Sequence, residues 1–174
     1  MEWMLMPLKR YAEFSGRSRR MEFWMWVLFT VIVGFVLGLI DGILGLKSTS
    51  TTSLAPGGAG MAAMSSVGVL GGIWSLGTLI PSIAVGVRRL HDTDRSGWWI
   101  LLPLGPYGLG IALMFMGLIS GSLAMAGLAG VLMLIGLVCA IVLLVFYCLP
   151  GTPGPNKYGP DPMGGAANLA ETFQ

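Results

Sequence analysis

A chain of 174 residues with 55% hydrophobic and only 10% charged side chains carries far fewer charges than the roughly one quarter usual in soluble domains, which excludes water as its main solvent. Its formal net charge of +2 gives nucleic-acid binding no basis, because the arginines are accounted for by the membrane edge. No Lys, Arg, Asp or Glu interrupts Phe23 to Ile40, Ser48 to Val87, or Ser96 to Asn156.

A helix crosses hydrocarbon about 30 Å thick with roughly 20 apolar residues, so the first stretch holds one span and the second holds one span plus a polar lead-in. The third, 61 residues long, must fold back into two, and Ser120-Gly121-Ser122 is the expected turn. The predicted fold class is therefore an all-α membrane protein, a four-helix transmembrane bundle preceded by a short amphipathic interfacial helix. Residues 1–22 form the N-terminal segment and 23–149 the membrane domain, with spans at about 23–44, 67–87, 98–119 and 123–149; 150–174 form a Pro/Gly-rich tail.

At about 100° per residue, Trp3, Met4, Pro7, Leu8, Tyr11 and Phe14 gather on one side of a first helix, with Lys9, Arg10 and Glu13 opposite. This pattern suits a helix lying in the membrane interface, although Leu5 and Met6 intrude on its polar side. The alternative is a cytoplasmic turn packed on its own protein. Next, in GRSRRMEFWMW, three arginines precede paired tryptophans, the combination that anchors a span at headgroup depth. More than twenty residues precede the apolar run and no small-residue cleavage site closes it promptly, so the first span is expected to be retained. Within it Gly34, Gly38 and Gly42 form a ridge at four-residue spacing, a candidate surface for close helix packing.

Lys47 to Ser66 is rich in Ser, Thr, Gly and Ala and reads as a flexible loop. The second span contains Pro81, which removes a backbone donor and loosens the helix unless a neighbour satisfies the freed carbonyl. It ends at RRLHDTDRSGWW, the densest polar cluster of the chain. The third span soon meets Pro103, Gly105, Pro106, Gly108 and Gly110, so its first half is expected to be broken or partly re-entrant. The fourth is the most regular. It carries Cys139 and Cys148, nine residues or roughly 13 Å apart along one helix and so beyond disulfide reach. Five prolines and three glycines between Pro150 and Pro162 then forbid helix and favour turns.

Basic residues near a membrane are retained on the cytoplasmic side. Lys9, Arg10, Arg17, Arg19 and Arg20 precede the first span, Arg88, Arg89 and Arg95 lie between the second and third, and Lys157 follows the fourth; only Lys47 falls on the other side. This asymmetry predicts both termini in the cytoplasm.

Three blocks in this order, GRSRRMEFW, PSIAVGVRRLHDTDRSGWW and CLPGTPGPNKYGPDP, resemble those of the bacterial membrane family called domain of unknown function 805. The resemblance implies an inner-membrane location and no established activity. Relative to shorter members of that family, this chain has room for two apolar segments instead of one between its last two blocks, an insertion of about one span that would reverse the side of the tail.

The candidate cluster comprises Arg17, Arg19, Arg20, Arg88, Arg89, His91, Asp92, Asp94 and Arg95. His91 beside Asp92 suggests a proton-transfer pair, but adjacent side chains on a helix diverge, and one His with two aspartates is a thin metal site. The structural reading places Arg88 with Asp92 and His91 with Arg95, each four residues apart. Asp94 or Ser96 caps the third span, the arginines contact anionic lipid phosphate, and Arg17, Arg19 or Arg20 pairs with Asp92 or Asp94 if the two cytoplasmic segments meet. Asp41, about 27 Å along the first span, reaches the outer interface, where it needs no special role. The segment Gly57 to Gly60 lacks the GK[ST] ending of a phosphate loop.

These features predict a non-enzymatic inner-membrane protein without a cofactor, acting through lateral contacts with membrane lipids, itself or another membrane protein. The rival expectation is a small transporter or channel that uses the broken third span and Asp41.

Overall fold

The computed structural model describes residues 2–46 and 68–162. The expected loop from Lys47 to Ser66 and the last dozen residues lie outside them. Helix α1 is Glu2–Lys9, α2 Arg20–Ile43 and α3 Val69–Asp92; a 3-10 turn covers Gly97–Leu101, followed by α4, Leu104–Ser120, and α5, Leu123–Cys148. The fold is all-α, and among the described residues four helical segments are long and apolar enough to cross a membrane: Arg20–Ile43, Val69–Asp92, Gly97–Ser120 and Leu123–Cys148. At about 1.5 Å per residue, 24 residues extend about 36 Å, more than the hydrocarbon requires.

The contacts divide the chain into two units, one of Met1–Ala12 with Trp24–Ser82 and one of Glu13–Phe23 with Ile83–Gln174. In the first, two backbone problems are solved by side chains distant in sequence. Pro81 has no N–H to offer the carbonyl four residues earlier, and the Tyr11 hydroxyl donates to that carbonyl, on Gly77, at 2.6 Å. The start of α3 leaves its first amides without helical partners. Asp41 supplies them, since its carboxylate accepts from the amides of Leu70 at 3.1 Å and Gly71 at 2.9 Å. Asp41 is fully buried, and a β-carbon at Gly68 would overlap its carboxylate. Its sequence position suggested a solvated interface residue without a role; in the structure it is the cap of the next span, because a carboxylate at a helix N-terminus meets both free amides and the positive end of the dipole. Nearby, the Trp26 indole donates to the Ser82 hydroxyl at 3.0 Å, and the Phe29 ring meets Trp74 edge-on at 5.9 Å.

In the second unit, α4 and α5 form a hairpin. Gly121 adopts a left-handed φ of 66° and its amide donates to the Gly117 carbonyl, a turn that favours glycine. The expected irregular first half of the third span is confined to the 3-10 turn and the two residues after it. From Leu104 the helix is regular through Gly105, Pro106, Gly108 and Gly110. The reason is position: Pro103 is the N-cap and Pro106 lies in the first turn, where a missing N–H breaks no helical bond. The glycines that bring helices together are here. A β-carbon on Gly117 would stand 3.2 Å from the Ala126 amide, and one on Gly136 would stand 3.0 Å from the Tyr107 ring. By contrast, a β-carbon on Gly34 or Gly38 meets nothing within 4 Å, and Gly42 is exposed. Among the described residues nothing packs closely on Gly34 or Gly38 of that ridge; within the second unit, close helix approach is made by α4 on α5.

Candidate functional site

The N-terminal, central and C-terminal polar blocks converge within the second unit. Gly16, at a left-handed φ of 84°, turns the chain so that the next residues run beside the end of α3, where the Ser18 amide donates to the Arg88 carbonyl at 3.1 Å. This places the Arg17 side chain, 1% exposed, against Asp92, with Nε 2.9 Å from Oδ1. Its remaining nitrogens are also engaged: Nη1 donates to the Gly154 carbonyl and Nη2 to the Thr152 carbonyl, each at 2.6 Å. A planar guanidinium with its donors in a fixed fork suits such a node, whereas a lysine would supply only a point charge.

Asp92 is shared. Its second oxygen accepts from Arg89 Nη1 at 2.5 Å, while Arg89 Nε donates to the Tyr147 carbonyl at 3.1 Å and Nη2 to the Leu149 carbonyl. Those carbonyls belong to the last turn of α5 and the residue after it, so a buried cation satisfies acceptors that a helix end leaves open. The Asp92 carbonyl in turn accepts from the Thr152 amide at 2.9 Å. A β-carbon on Gly151 would overlap the Asp92 carboxylate, so only glycine lets the tail pass.

The remaining residues fall into two groups. Arg88 is fully buried and pairs with Glu22 at 3.1 Å, not with Asp92 as the four-residue spacing suggested; Asp92 is already taken by Arg17 and Arg89. His91 does not meet Arg95. Its ring stacks on Tyr158 at 3.9 Å with 3° between planes, and Nδ1 lies 3.3 Å from the Gly16 carbonyl. Arg95 lies 3.7 Å over the Phe146 ring, a cation–π contact that competes well where few carboxylates are near. Asp94 pairs with Lys157 at 3.6 Å with both side chains well exposed, and Ser96 receives the Trp98 amide. Arg19 is half-buried and Arg20 exposed, with Arg20 Nη1 donating to the Cys148 carbonyl at 3.4 Å.

Sequence reasoning missed the tail. The prolines and glycines of 150–162 indicated only turns, yet Asn156 Nδ2 donates to the His91 carbonyl at 2.9 Å. The Asn156 and Gly159 backbones also exchange two bonds of 3.1 Å, which hold Tyr158 against His91. The available signal was residue type: Asn and Gly at that spacing build a tight turn, and a lone Tyr and Asn inside it are side chains that seek partners. His91 faces an aromatic ring and a carbonyl, and among the described residues no three His, Cys, Asp or Glu side chains are grouped as metal ligands.

Four membrane-spanning helices and a charged node at their ends define a polytopic α-helical membrane protein whose N-terminal, central and C-terminal blocks are tied together by ion pairs and carbonyl contacts. The chain belongs to the protein family of unknown function DUF805, whose model matches residues 11–160. It is 38% identical over 162 residues to the inner membrane protein YhaH of Escherichia coli (strain K12), covering 93% of this chain and 97% of that one. It is 36% identical over 166 residues to the inner membrane protein YhaI of the same strain, covering 95% and 99%. No solved structure matches.

Proposed function

We propose that the protein is a non-enzymatic inner-membrane component, with both termini in the cytoplasm, that acts through lateral contacts with lipid, with itself or with another membrane protein. The observation that carries this reading is the engagement of the charged centre with itself: Asp92 is shared by Arg17 and Arg89, and the remaining donors of both arginines reach backbone carbonyls. Such a node holds segments together and leaves no activated nucleophile or base. What the chain offers outward is apolar: Phe35, Leu76, Ile119 and Leu134 are among many large exposed hydrophobic side chains, as lipid or partner helices require. The bias of basic residues toward one set of loops supports the cytoplasmic side for the node. Direct contact of Arg17 with Asp92 and with Thr152 supports the tail emerging on that same side.

A transport role draws little support, because Asp41, the carboxylate such a path would use, has both oxygens engaged by helix amides. Mass measurement on the detergent-solubilised full chain, with bound lipid counted, tests the proposal. The expected outcome is an oligomer or a species with a co-purifying membrane partner or retained lipid; a bare monomer overturns it.

A further inference from the structure

Beside the node lies a cavity of about 320 Å³ whose lining includes Arg17, Arg19, Arg20, Asp92 and Asp161, with Pro150, Pro153 and Pro162 among its other walls. Three arginines and two aspartates line it, and Asp92 is already shared with Arg89 outside the lining, so the balance around the cavity is positive. Arg17 is among the lining residues, and its donors are committed to Asp92, Gly154 and Thr152. Arg20, in contrast, is exposed, and among the described residues its one hydrogen bond is long, 3.4 Å to the Cys148 carbonyl. The prolines on the walls offer no amide donors, and the Thr152 amide and hydroxyl in the lining are given to the Asp92 carbonyl, so the charged donors for an anion are the arginines.

The level of the cavity is set by the helices that flank it: Arg20 is the first residue of α2 and Cys148 the last of α5. A cavity at the ends of two spans opens at headgroup depth. Its volume sits at the small end of ligand sites, which run from about 300 to 1,000 Å³, and suits a phosphate with a short polar substituent. Arginine forks match phosphate oxygens two at a time.

We infer that this cavity is a binding site for a phosphate-bearing anion, with Arg20 its principal exposed ligand. The inference rests on the proposed role in lateral contacts and gives its lipid arm a place and a chemistry. Phosphate can arrive as a lipid headgroup or as a soluble compound, and the test separates the two.

The full chain in neutral detergent is melted with phosphatidylglycerol, with phosphatidylcholine, or with inorganic phosphate. Phosphatidylglycerol at tenfold over its Kd should raise Tm by at least about 3 °C, and phosphatidylcholine, of no net charge, should do much less. Arg20→Gln should remove more than half of that shift while leaving the lipid-free Tm near its original value. Should Arg20→Gln fail to fold, Arg20→Lys, which keeps the charge but loses the fork, should weaken lipid affinity several-fold. Lys157→Gln, an exposed cation outside the cavity, should keep the shift. If millimolar inorganic phosphate reproduces the shift, the site stands and its natural ligand is soluble; if only the lipid does, the site stands as a headgroup site. Equal shifts from both lipids, a full shift in Arg20→Gln, or an equal loss in Lys157→Gln would overturn the inference. The mass of each sample, taken in parallel, keeps the two readings apart: a lost shift with an intact oligomer sinks the cavity alone, and a kept shift in a protein without protein partners leaves the cavity and removes protein association.

Discussion

Asp92 illustrates how much one buried carboxylate can hold. Two arginines with almost no exposed side-chain surface depend on it, so truncating it leaves cations in a poorly solvated place without their counter-charge. Loss of one partner from a buried pair costs about 3–5 kcal/mol, against roughly 0–1 kcal/mol for an exposed pair. Asp92→Ala should therefore lower the detergent melting temperature sharply, whereas Asp94→Ala, which breaks only the exposed contact with Lys157, should barely change it. His91→Ala should fall between them, since it removes one stacked ring. Exchanging the charges of Arg17 and Asp92 should not rescue the fold, because an acid at position 17 would face the carbonyls of Thr152 and Gly154. Melting of Asp92→Ala at the wild-type temperature would refute this account. The cluster was only partly legible beforehand. That Arg17 would seek Asp92 or Asp94 follows from charge, but assigning Arg88 to Asp92 from helical spacing failed because two other arginines satisfy Asp92, and Glu22 is within reach of Arg88.

Among the elements, α3 tests how a proline is accommodated in a span. The requirement was visible in the residue: Pro81 must orphan a carbonyl, and some neighbour must answer it. Which neighbour was not, since Tyr11 lies 66 residues from Gly77 and its position in the N-terminal segment suggested only a place on an apolar stripe. Tyr11→Phe should destabilise the protein by about 0.5–1.5 kcal/mol, the net value of one hydrogen bond. In a Pro81→Ala background the same change should cost nearly nothing, because the restored amide now serves the Gly77 carbonyl. A double-mutant cycle on thermal or denaturant unfolding measures this coupling, and additive effects would mean that the hydroxyl does not act through the proline. The glycines carry the same lesson. Their abundance announced close helix contacts, but among the described residues nothing stands close to Gly34 or Gly38 of α2, while Gly110, Gly117 and Gly136 lie against the partner helix of the hairpin.

At the scale of the whole molecule the open quantity is sidedness. Reporter fusions at Arg10, Ser53, Asp92 and Tyr158 should read cytoplasmic, periplasmic, cytoplasmic and cytoplasmic. Agreement of Asp92 with Tyr158 is the sensitive part, because Asn156 and Thr152 beside that tyrosine bond the backbone of His91 and Asp92. A periplasmic Tyr158 with a cytoplasmic Asp92 would mean that residues 98–149 cross the membrane an odd number of times and that the tail contacts do not exist in the cell.

Class, number of spans and the place of the hairpin turn were determined by the sequence alone, for a physical reason: hydrocarbon thickness and the cost of charge within it are read from length and composition along a continuous stretch, without knowing what the stretch touches. The Asp41 cap, the docked tail and the partners of Arg88, Arg89 and Arg95 were decided only in three dimensions. A carboxylate or guanidinium is satisfied by whichever donor or acceptor the fold brings within about 3 Å, and here those groups come from segments 29, 75 and 137 residues away.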